Sequence, residues 1–284
     1  MSSQKSHAME STDETTPVPL EERLPELRRT LESAPRLLLC LDFDGTLAPI
    51  VDDPDAATPL PEAETHLETL SASADVTTAI VSGRALSDVR TRIDGPTVYA
   101  GNHGLELGRD GTVAVLPVAR KRASRLANVR AALETTLDPF PGVELQDKRL
   151  TATVHLRSVP EPLRPIVRRH TVEVVDRLAG DDLELSEGKR ILEIEPAIPW
   201  GKGNAVAMLE SDQPAGTVTV YVGDDVTDES AFRAIQPGGI GVRVGGTDPS
   251  AASYRVASPE DVAAFLGWLE SIEIGREHVG NTGS

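Results

Sequence analysis

The sequence predicts an α/β fold, a mostly parallel sheet interrupted by an inserted α+β domain. Three observations carry this reading. Leu37 to Leu41 run without a polar break into Asp42 and Asp44, the pattern of a central strand buried on both faces with a polar carboxyl end. Short β-rich runs alternate with amphipathic helical stretches up to about residue 104 and again after Pro196, as in βαβ units. Between residues 105 and 195 that alternation stops, and hairpin signals and long helical stretches follow one another instead.

Residues 1–17 are polar, aperiodic and rich in Ser, Thr and Glu, and read as a disordered tail. A first core segment, 18–104, opens with a short helix over 20–31 and the strand that ends at Asp42. Pro49 and Pro54 punctuate the loop that follows. Residues 59–71 set Leu60, Ala63, Leu67 and Leu70 on one helical face. A strand over 76–81 leads into Ser82-Gly83-Arg84, a helix over 85–93 turns Leu86, Val89 and Ile93 inward, and 97–100 form a third strand.

The insert, 105–195, begins with strands at 105–107 and 112–116 around Gly108-Arg-Asp-Gly, a hairpin signal. Helices are expected over 119–137 and 162–179. Strand pairs are expected at 143–146 with 150–157, and at 183–185 with 191–195. Residues 196–284 return to the core pattern. A helix opens at Trp200-Gly-Lys-Gly, strands follow at 217–222, 240–244 and 254–256, and a helix lies over 228–235. Ser258-Pro-Glu-Asp starts the last helix with a capping-box pattern and proline in the first turn.

A chain of 284 residues suits one large domain or two of unequal size. Its formal net charge is -17, and only five of its 28 basic residues are lysines. Phosphate backbones need basic surfaces, so no nucleic-acid partner is expected. The acidity has two readings: an ordinary solvating surface, or adaptation to high cytoplasmic salt, where screening removes the self-repulsion of so many carboxylates. No run of about 18 apolar residues is present, so no membrane span is expected. The N-terminus shows no basic region leading into an apolar stretch. Cys40, the single cysteine, sits among leucines as a buried, inert thiol. Together these features predict a cytoplasmic location.

Four motifs fall at the carboxyl ends of expected strands or at helix starts. They are Asp42-Phe-Asp44-Gly-Thr46-Leu, Ser82-Gly83-Arg84, Lys202-Gly and Gly223-Asp224-Asp225-Val-Thr-Asp228. Open α/β sheets bind their ligands at that edge. Strand residues i and i+2 share a face, so Asp42 and Asp44 point the same way. Adjacent carboxylates repel unless a cation or a shared proton intervenes. Mg²⁺ takes a few carboxylate oxygens together with water and a phosphate oxygen. Asp42 and Asp224 are the first-choice ligands, with a backbone carbonyl near Asp44. Hydroxyls and backbone N–H groups at Thr46, Ser82 and Gly83, and the cation of Arg84, suit an anion. A carboxylate beside Mg²⁺ and Lys202 can attack phosphorus to give an aspartyl phosphate. Asp44 then protonates the leaving oxygen and later deprotonates water. Each motif alone also fits a plain turn, a helix cap or a solvated lysine; their joint occurrence in order favours chemistry.

Leu41-Asp-Phe-Asp-Gly-Thr-Leu, Ser82, Lys202 and Gly223-Asp-Asp resemble the four motifs of haloacid-dehalogenase-like phosphatases. Longer stretches are similar to the trehalose-6-phosphate phosphatase family over about residues 36–270. They are Asp42-Phe-Asp-Gly-Thr-Leu-Ala-Pro-Ile, Ser82-Gly-Arg, Gly101-Asn-His-Gly-Leu-Glu, Gly188-Lys, Leu192-Glu-Ile, Trp200-Gly-Lys-Gly and Gly223-Asp-Asp-x-Thr-Asp-Glu. The resemblance implies a Rossmann-like parallel-sheet core of the haloacid-dehalogenase type, with the α+β insert as a mobile cap domain. It implies Asp42 as nucleophile, Asp44 as acid and base, and Ser82 and Lys202 on the phosphoryl oxygens. Mg²⁺ would be held by Asp42, the Asp44 carbonyl and Asp224, with Asp225 and Asp228 in support.

For sugar recognition Glu187, Lys189 and Glu193 are the matching cap positions, with Arg157 a weaker one; the other reading is an ordinary exposed hairpin. His103 either approaches the site from a strand-end loop or is a satisfied structural histidine. The family often carries an arginine before the proline of a Glu-Ile-Arg-Pro stretch, whereas this chain has Glu195-Pro196. The expected function is Mg²⁺-dependent hydrolysis of a small-molecule phosphosugar, trehalose 6-phosphate, to trehalose and phosphate. Association with a trehalose-phosphate synthase is compatible with it. The competing readings are a phosphatase for sucrose 6-phosphate or mannosyl-3-phosphoglycerate, a phosphosugar mutase, and a sugar-phosphate-binding regulatory module. Such modules usually lose a nucleophile or metal carboxylate, and here none is missing.

Overall fold

The computed structural model describes residues 14–275 apart from Asp52 and Lys189. In chain order the elements run β1 (Val18–Pro19), α1 (Leu24–Glu32), β2 (Leu37–Leu41), α2 (Pro61–Ala72), β3 (Val76–Val81), α3 (Leu86–Arg92) and β4 (Val98–Gly101). Then come β5 (Glu106–Arg109), β6 (Thr112–Val115), α4 (Pro117–Leu137), β7 (Glu144–Asp147), β8 (Ala152–His155), α5 (Arg164–Leu178), β9 (Leu183–Gly188) and β10 (Ile191–Pro196). The chain closes with α6 (Lys202–Ser211), β11 (Val218–Gly223), α7 (Glu229–Ala234), β12 (Ile240–Val244), β13 (Tyr254–Val256) and α8 (Pro259–Glu270). It divides into two compact units, one made of residues up to 79 and from 206, the other of residues 80–205.

In the first unit parallel strands lie in the order β1-β13-β12-β11-β2, with β3 beyond β2. All five residues of β2 are 0% exposed, and Leu39 and Leu41 pair with Val220 and Val222 of β11. A central parallel strand is covered on both faces, which is why its sequence is apolar without alternation. Burial first, and then the nearby Glu210 charge, push the Cys40 thiol far above its ordinary range. It stays protonated and inert. At the start of α8 the Ser258 hydroxyl accepts the Asp261 N–H at 3.4 Å, and Val262, Phe265, Leu266 and Leu269 are buried. Of the stretch expected as a tail, residues 1–13 lie outside the described residues. Glu14 pairs with Arg233, and Thr15 bridges Ser250.

In the second unit β5 and β6 form the expected hairpin, with Asp110 and Gly111 at φ of 51° and 73°. That hairpin pairs antiparallel with β4 instead of joining the insert's other strands. Those strands form a separate antiparallel sheet in the order β7-β8-β10-β9. Leu126, Val129, Leu133 and Leu137 recur at helical spacing along α4 and are all buried. They join Val154, Val167, Val174, Leu192 and Ile194 in one cluster, so this α+β part has a hydrophobic core of its own. The mostly parallel sheet and the α+β insert are the architecture expected from the sequence. No helix among the described residues is long and apolar enough to cross a membrane.

Candidate active site

At the end of β2 the Asp42 N–H still belongs to the ladder and donates to the Val222 carbonyl at 2.9 Å. The chain then turns sharply. Leu47 and Ala48 both donate to the Phe43 carbonyl, each at 2.9 Å, and Gly45 donates to the Ala48 carbonyl at 2.8 Å. Phe43 anchors this turn in the core, while Asp44 is half-buried. Gly45 has φ of +76°, and a Cβ there would collide with the Asp224 carboxylate. Glycine is required twice over, by backbone sterics and by the neighbouring acid. Thr46 is wholly buried, and its hydroxyl has no hydrogen-bond partner among the described residues.

The adjacent strand β11 delivers the other acids. Asp225 caps the turn after it, accepting the Val226 N–H at 2.7 Å, while Asp228 Oδ2 accepts the Asp225 N–H at 2.9 Å. One carboxylate oxygen from each of Asp42, Asp224 and Asp228 lies within 4.8 Å of the other two. Asp42 is 5% exposed and Asp228 0%. Three carboxylates this close, two of them buried and Asp224 half-buried, repel one another unless a cation offsets them. An all-oxygen donor set matches a hard divalent cation. The residues present therefore fit a divalent metal, with Asp228 inside the cluster and the Asp225 side chain turned to cap the following turn.

The last acid of this signature does something else. Glu229 Oε1 accepts from Arg243 Nη1 at 2.7 Å and from the Ser250 hydroxyl at 2.6 Å, and Oε2 accepts the Ala251 N–H at 2.8 Å. It anchors the connection between β12 and β13.

In the second unit Ser82 is buried, its N–H donating to the Ala100 carbonyl at 2.9 Å and its hydroxyl accepting the Arg84 N–H at 3.1 Å. A Cβ on Gly83 would lie 2.6 Å from His103 Cε1, so glycine lets the imidazole approach the backbone. The Arg84 guanidinium donates to Asp88 on α3 at 2.8 Å. Asn102 and His103 adopt φ of 49° and 57°, uncommon for non-glycine residues. The buried Asn102 amide holds this turn. Its Nδ2 donates to Glu106 Oε2 at 2.9 Å and to the Lys148 carbonyl at 3.0 Å, and its Oδ1 accepts from the Thr151 hydroxyl at 2.7 Å.

The turn sets His103 Nε2 3.8 Å from Glu193 Oε1, the oxygen that also accepts from Lys148 Nζ at 2.9 Å. Burial alone would raise the Glu193 carboxyl, but His103 and the Lys148 charge outweigh it and hold the group well below the usual carboxylate range. Glu195, at the position where the family often has arginine, is raised. Burial is the main cause, with Glu193 and Glu184 adding to it and His103 and Ser186 opposing. Glu187 pairs with Arg168 of α5 and does not join the Glu193 group. The Arg157 carbonyl accepts from Arg164 at 3.3 Å. Lys202, the first residue of α6, is buried. Lys189 lies outside the described residues. Sequence reasoning missed Lys148, Asn102 and Glu106. The run Gly101-Asn-His-Gly-Leu-Glu was visible, but nothing local ties Asn102 to a carbonyl 46 residues away.

The Lys148–Glu193 pair yields a test with a definite sign. A carboxyl whose folded pKa is depressed adds stability above its unfolded value of about 4.3. That stability is lost as pH falls through the lower folded value. Lys148→Met leaves Glu193 short of its cation. We expect a loss of about 3 kcal/mol near neutrality and an acid-unfolding midpoint moved to higher pH. Circular dichroism across the acid range measures both.

The family profile described as trehalose-phosphatase matches residues 40–260, which contain every motif above. The chain belongs to the trehalose-phosphatase family. It is similar to a trehalose-phosphate phosphatase of Mycobacterium marinum, 38% identical over 251 residues, a match covering 84% of this chain and 63% of that protein. The chain thus spans 63% of the length of this trehalose-phosphatase relative. It is also similar to the C-terminal domain of the C. albicans trehalose-6-phosphate phosphatase. That match has 25% identity and a TM-score of 0.76, covering 92% of this chain and 100% of that one. A haloacid dehalogenase-like hydrolase from Bacteroides thetaiotaomicron, 16% identical, shares the fold with a TM-score of 0.57, covering 82% of this chain and 99% of that one. This trehalose-phosphatase family member thus shares its fold with a haloacid dehalogenase-like hydrolase, the fold the motifs implied.

Proposed function

We propose that the chain is a Mg²⁺-dependent phosphatase that hydrolyses trehalose 6-phosphate to trehalose and inorganic phosphate. The observation that carries this reading is the cluster of Asp42, Asp224 and Asp228 at the ends of two paired parallel strands, within a chain of the trehalose-phosphatase family. The M. marinum relative and the C. albicans domain both bear the name of this activity.

In the proposed reaction Asp42 attacks phosphorus, the P–O bond to the sugar breaks, and an aspartyl phosphate forms. Asp44 donates a proton to the departing sugar oxygen and then takes one from the water that attacks the aspartyl phosphate, returning Asp42 and releasing phosphate. Asp42, Asp224 and the Asp44 carbonyl, with Asp225 and Asp228 in support, would hold Mg²⁺, which would supply charge neutralisation for the phosphoryl group. Ser82 and Lys202 hold the phosphoryl group, with Thr46, Gly83 and Arg84 contributing to that end of the substrate. Within residues 105–195, the α+β part with a core of its own acts as the cap that excludes water and selects the sugar. Among the candidate sugar contacts Arg157, Glu187, Lys189, Glu193 and His103, the grouping of His103 and Glu193 with Lys148 supports those two most directly.

A panel of phosphosugars tests the substrate. Trehalose 6-phosphate is expected to exceed sucrose 6-phosphate and mannosyl-3-phosphoglycerate in kcat/KM by about 100-fold, because a site built on hydrogen bonds leaves polar groups unpaired with the wrong sugar. Comparable turnover of all three would sink the trehalose assignment. Phosphate released mole for mole with substrate consumed excludes a mutase.

A further inference from the structure

Tyr221 and Gly223 lie two residues apart on β11 and so share a face. The Tyr221 side chain is fully buried, and its ring meets Phe232 edge-on, with centroids 5.4 Å apart and planes at 81°. Such a contact fixes the ring. From that seat the hydroxyl donates to Asp228 Oδ1 at 2.6 Å, while Oδ2 of the same carboxylate accepts the Asp225 N–H at 2.9 Å. A Cβ on Gly223 would collide with the Asp228 carboxyl group, so that group also rests against bare backbone. The carboxylate is thereby oriented by a phenol, an amide and a glycine, and one of its oxygens still lies within 4.8 Å of Asp42 and Asp224.

We propose that Tyr221 is a positioning residue for the metal cluster, its hydroxyl fixing the Asp228 carboxylate in the orientation that completes a divalent-cation site with Asp42 and Asp224. The inference rests on the metal reading given above. Hydrogen bonds one layer out from metal-ligating groups commonly set affinity by about 10- to 100-fold. A carboxylate oxygen carries two lone pairs, so accepting from Tyr221 leaves room for a cation or its water.

A merely structural tyrosine would behave differently. Its loss would cost stability equally with and without metal and leave metal affinity unchanged. Thr219, two residues earlier on the same strand face, supplies the comparison, because its buried hydroxyl donates to Glu210 at 2.6 Å.

Thermal melting of the full chain during MgCl₂ titration separates the two cases, since a ligand that binds only the folded state raises the melting temperature with its concentration. Tyr221→Phe is expected to raise the half-saturating Mg²⁺ concentration about tenfold or more. Thr219→Val is expected to lower the melting temperature and leave that midpoint alone. An unchanged midpoint in Tyr221→Phe, or an equal shift in Thr219→Val, would overturn the inference. Should Tyr221→Phe not fold, Phe232→Leu loosens the ring's seat while keeping the hydroxyl; a smaller rise of the same midpoint supports the inference, and none refutes it. A wild type whose melting ignores Mg²⁺ would overturn the metal reading and this inference with it, whereas a responsive wild type with an unshifted variant overturns the inference alone.

Discussion

Asp42→Asn is expected to abolish phosphate release from trehalose 6-phosphate, with kcat reduced by about 10⁴-fold or more, as when other enzymes lose their nucleophile. A neutral amide is a poor nucleophile toward phosphorus, and no other group takes over the covalent step in the proposed reaction. The substitution should spare the fold. What the backbone asks of this position is one N–H donated to the Val222 carbonyl, and asparagine keeps it. Removing one of three clustered carboxylates also relieves repulsion. The variant is therefore expected to gain less in melting temperature from added Mg²⁺ than the parent. A phosphate-release assay beside melting curves with and without Mg²⁺ reads all of this. A folded variant with full activity would remove Asp42 from the nucleophile's role. The regulatory-module reading predicts instead that the parent chain binds the sugar phosphate saturably without turning it over.

Gly45→Ala is expected to have the next largest effect while removing no reactive atom. The residue sits at φ of +76°, which costs a side-chain-bearing residue roughly 1–2 kcal/mol. The new Cβ would also press on the Asp224 carboxylate. Because the tight turn fixes Gly45 through its hydrogen bond to Ala48, Asp224 is the group that must yield. Displacing a reacting or ligating group by about 1 Å can cost 10²-fold in rate. We expect a loss of that order in kcat/KM and a clear rise in the Mg²⁺ needed for half-maximal activity. A variant with parental Mg²⁺ dependence would show that Asp224 is not held where the turn leaves it. Gly111, at φ of +73° with no atom near its missing Cβ, is the control. Gly111→Ala carries the same backbone strain and is expected to leave Mg²⁺ dependence alone.

These two residues mark where the sequence was informative. An apolar run ending in Asp-Phe-Asp-Gly-Thr declares a buried parallel strand and its polar exit from neighbouring residues alone, since strand periodicity needs only i to i+2. The capping pattern at Ser258 is local in the same sense, and its hydrogen bond forms as read. The carboxylates at Asp42, Asp224 and Asp228 could be named as candidates because each sits beside a strand end visible in the pattern.

Which oxygen faces which partner was not visible. Asp225 and Asp228 look alike in the chain, yet one caps a turn while the other enters the three-acid cluster under the hand of Tyr221. Glu187 and Glu193 both seemed suited to a sugar. Glu187 pairs with Arg168, and Glu193 is held by Lys148 from the turn after β7, 45 residues away. Residue type and strand register are written locally, so the sequence alone determined the α/β core, the insert and the candidate acids. The direction of each buried polar group was decided by tertiary structure. A buried donor or acceptor must find a partner wherever packing supplies one, and that partner is usually distant in the chain.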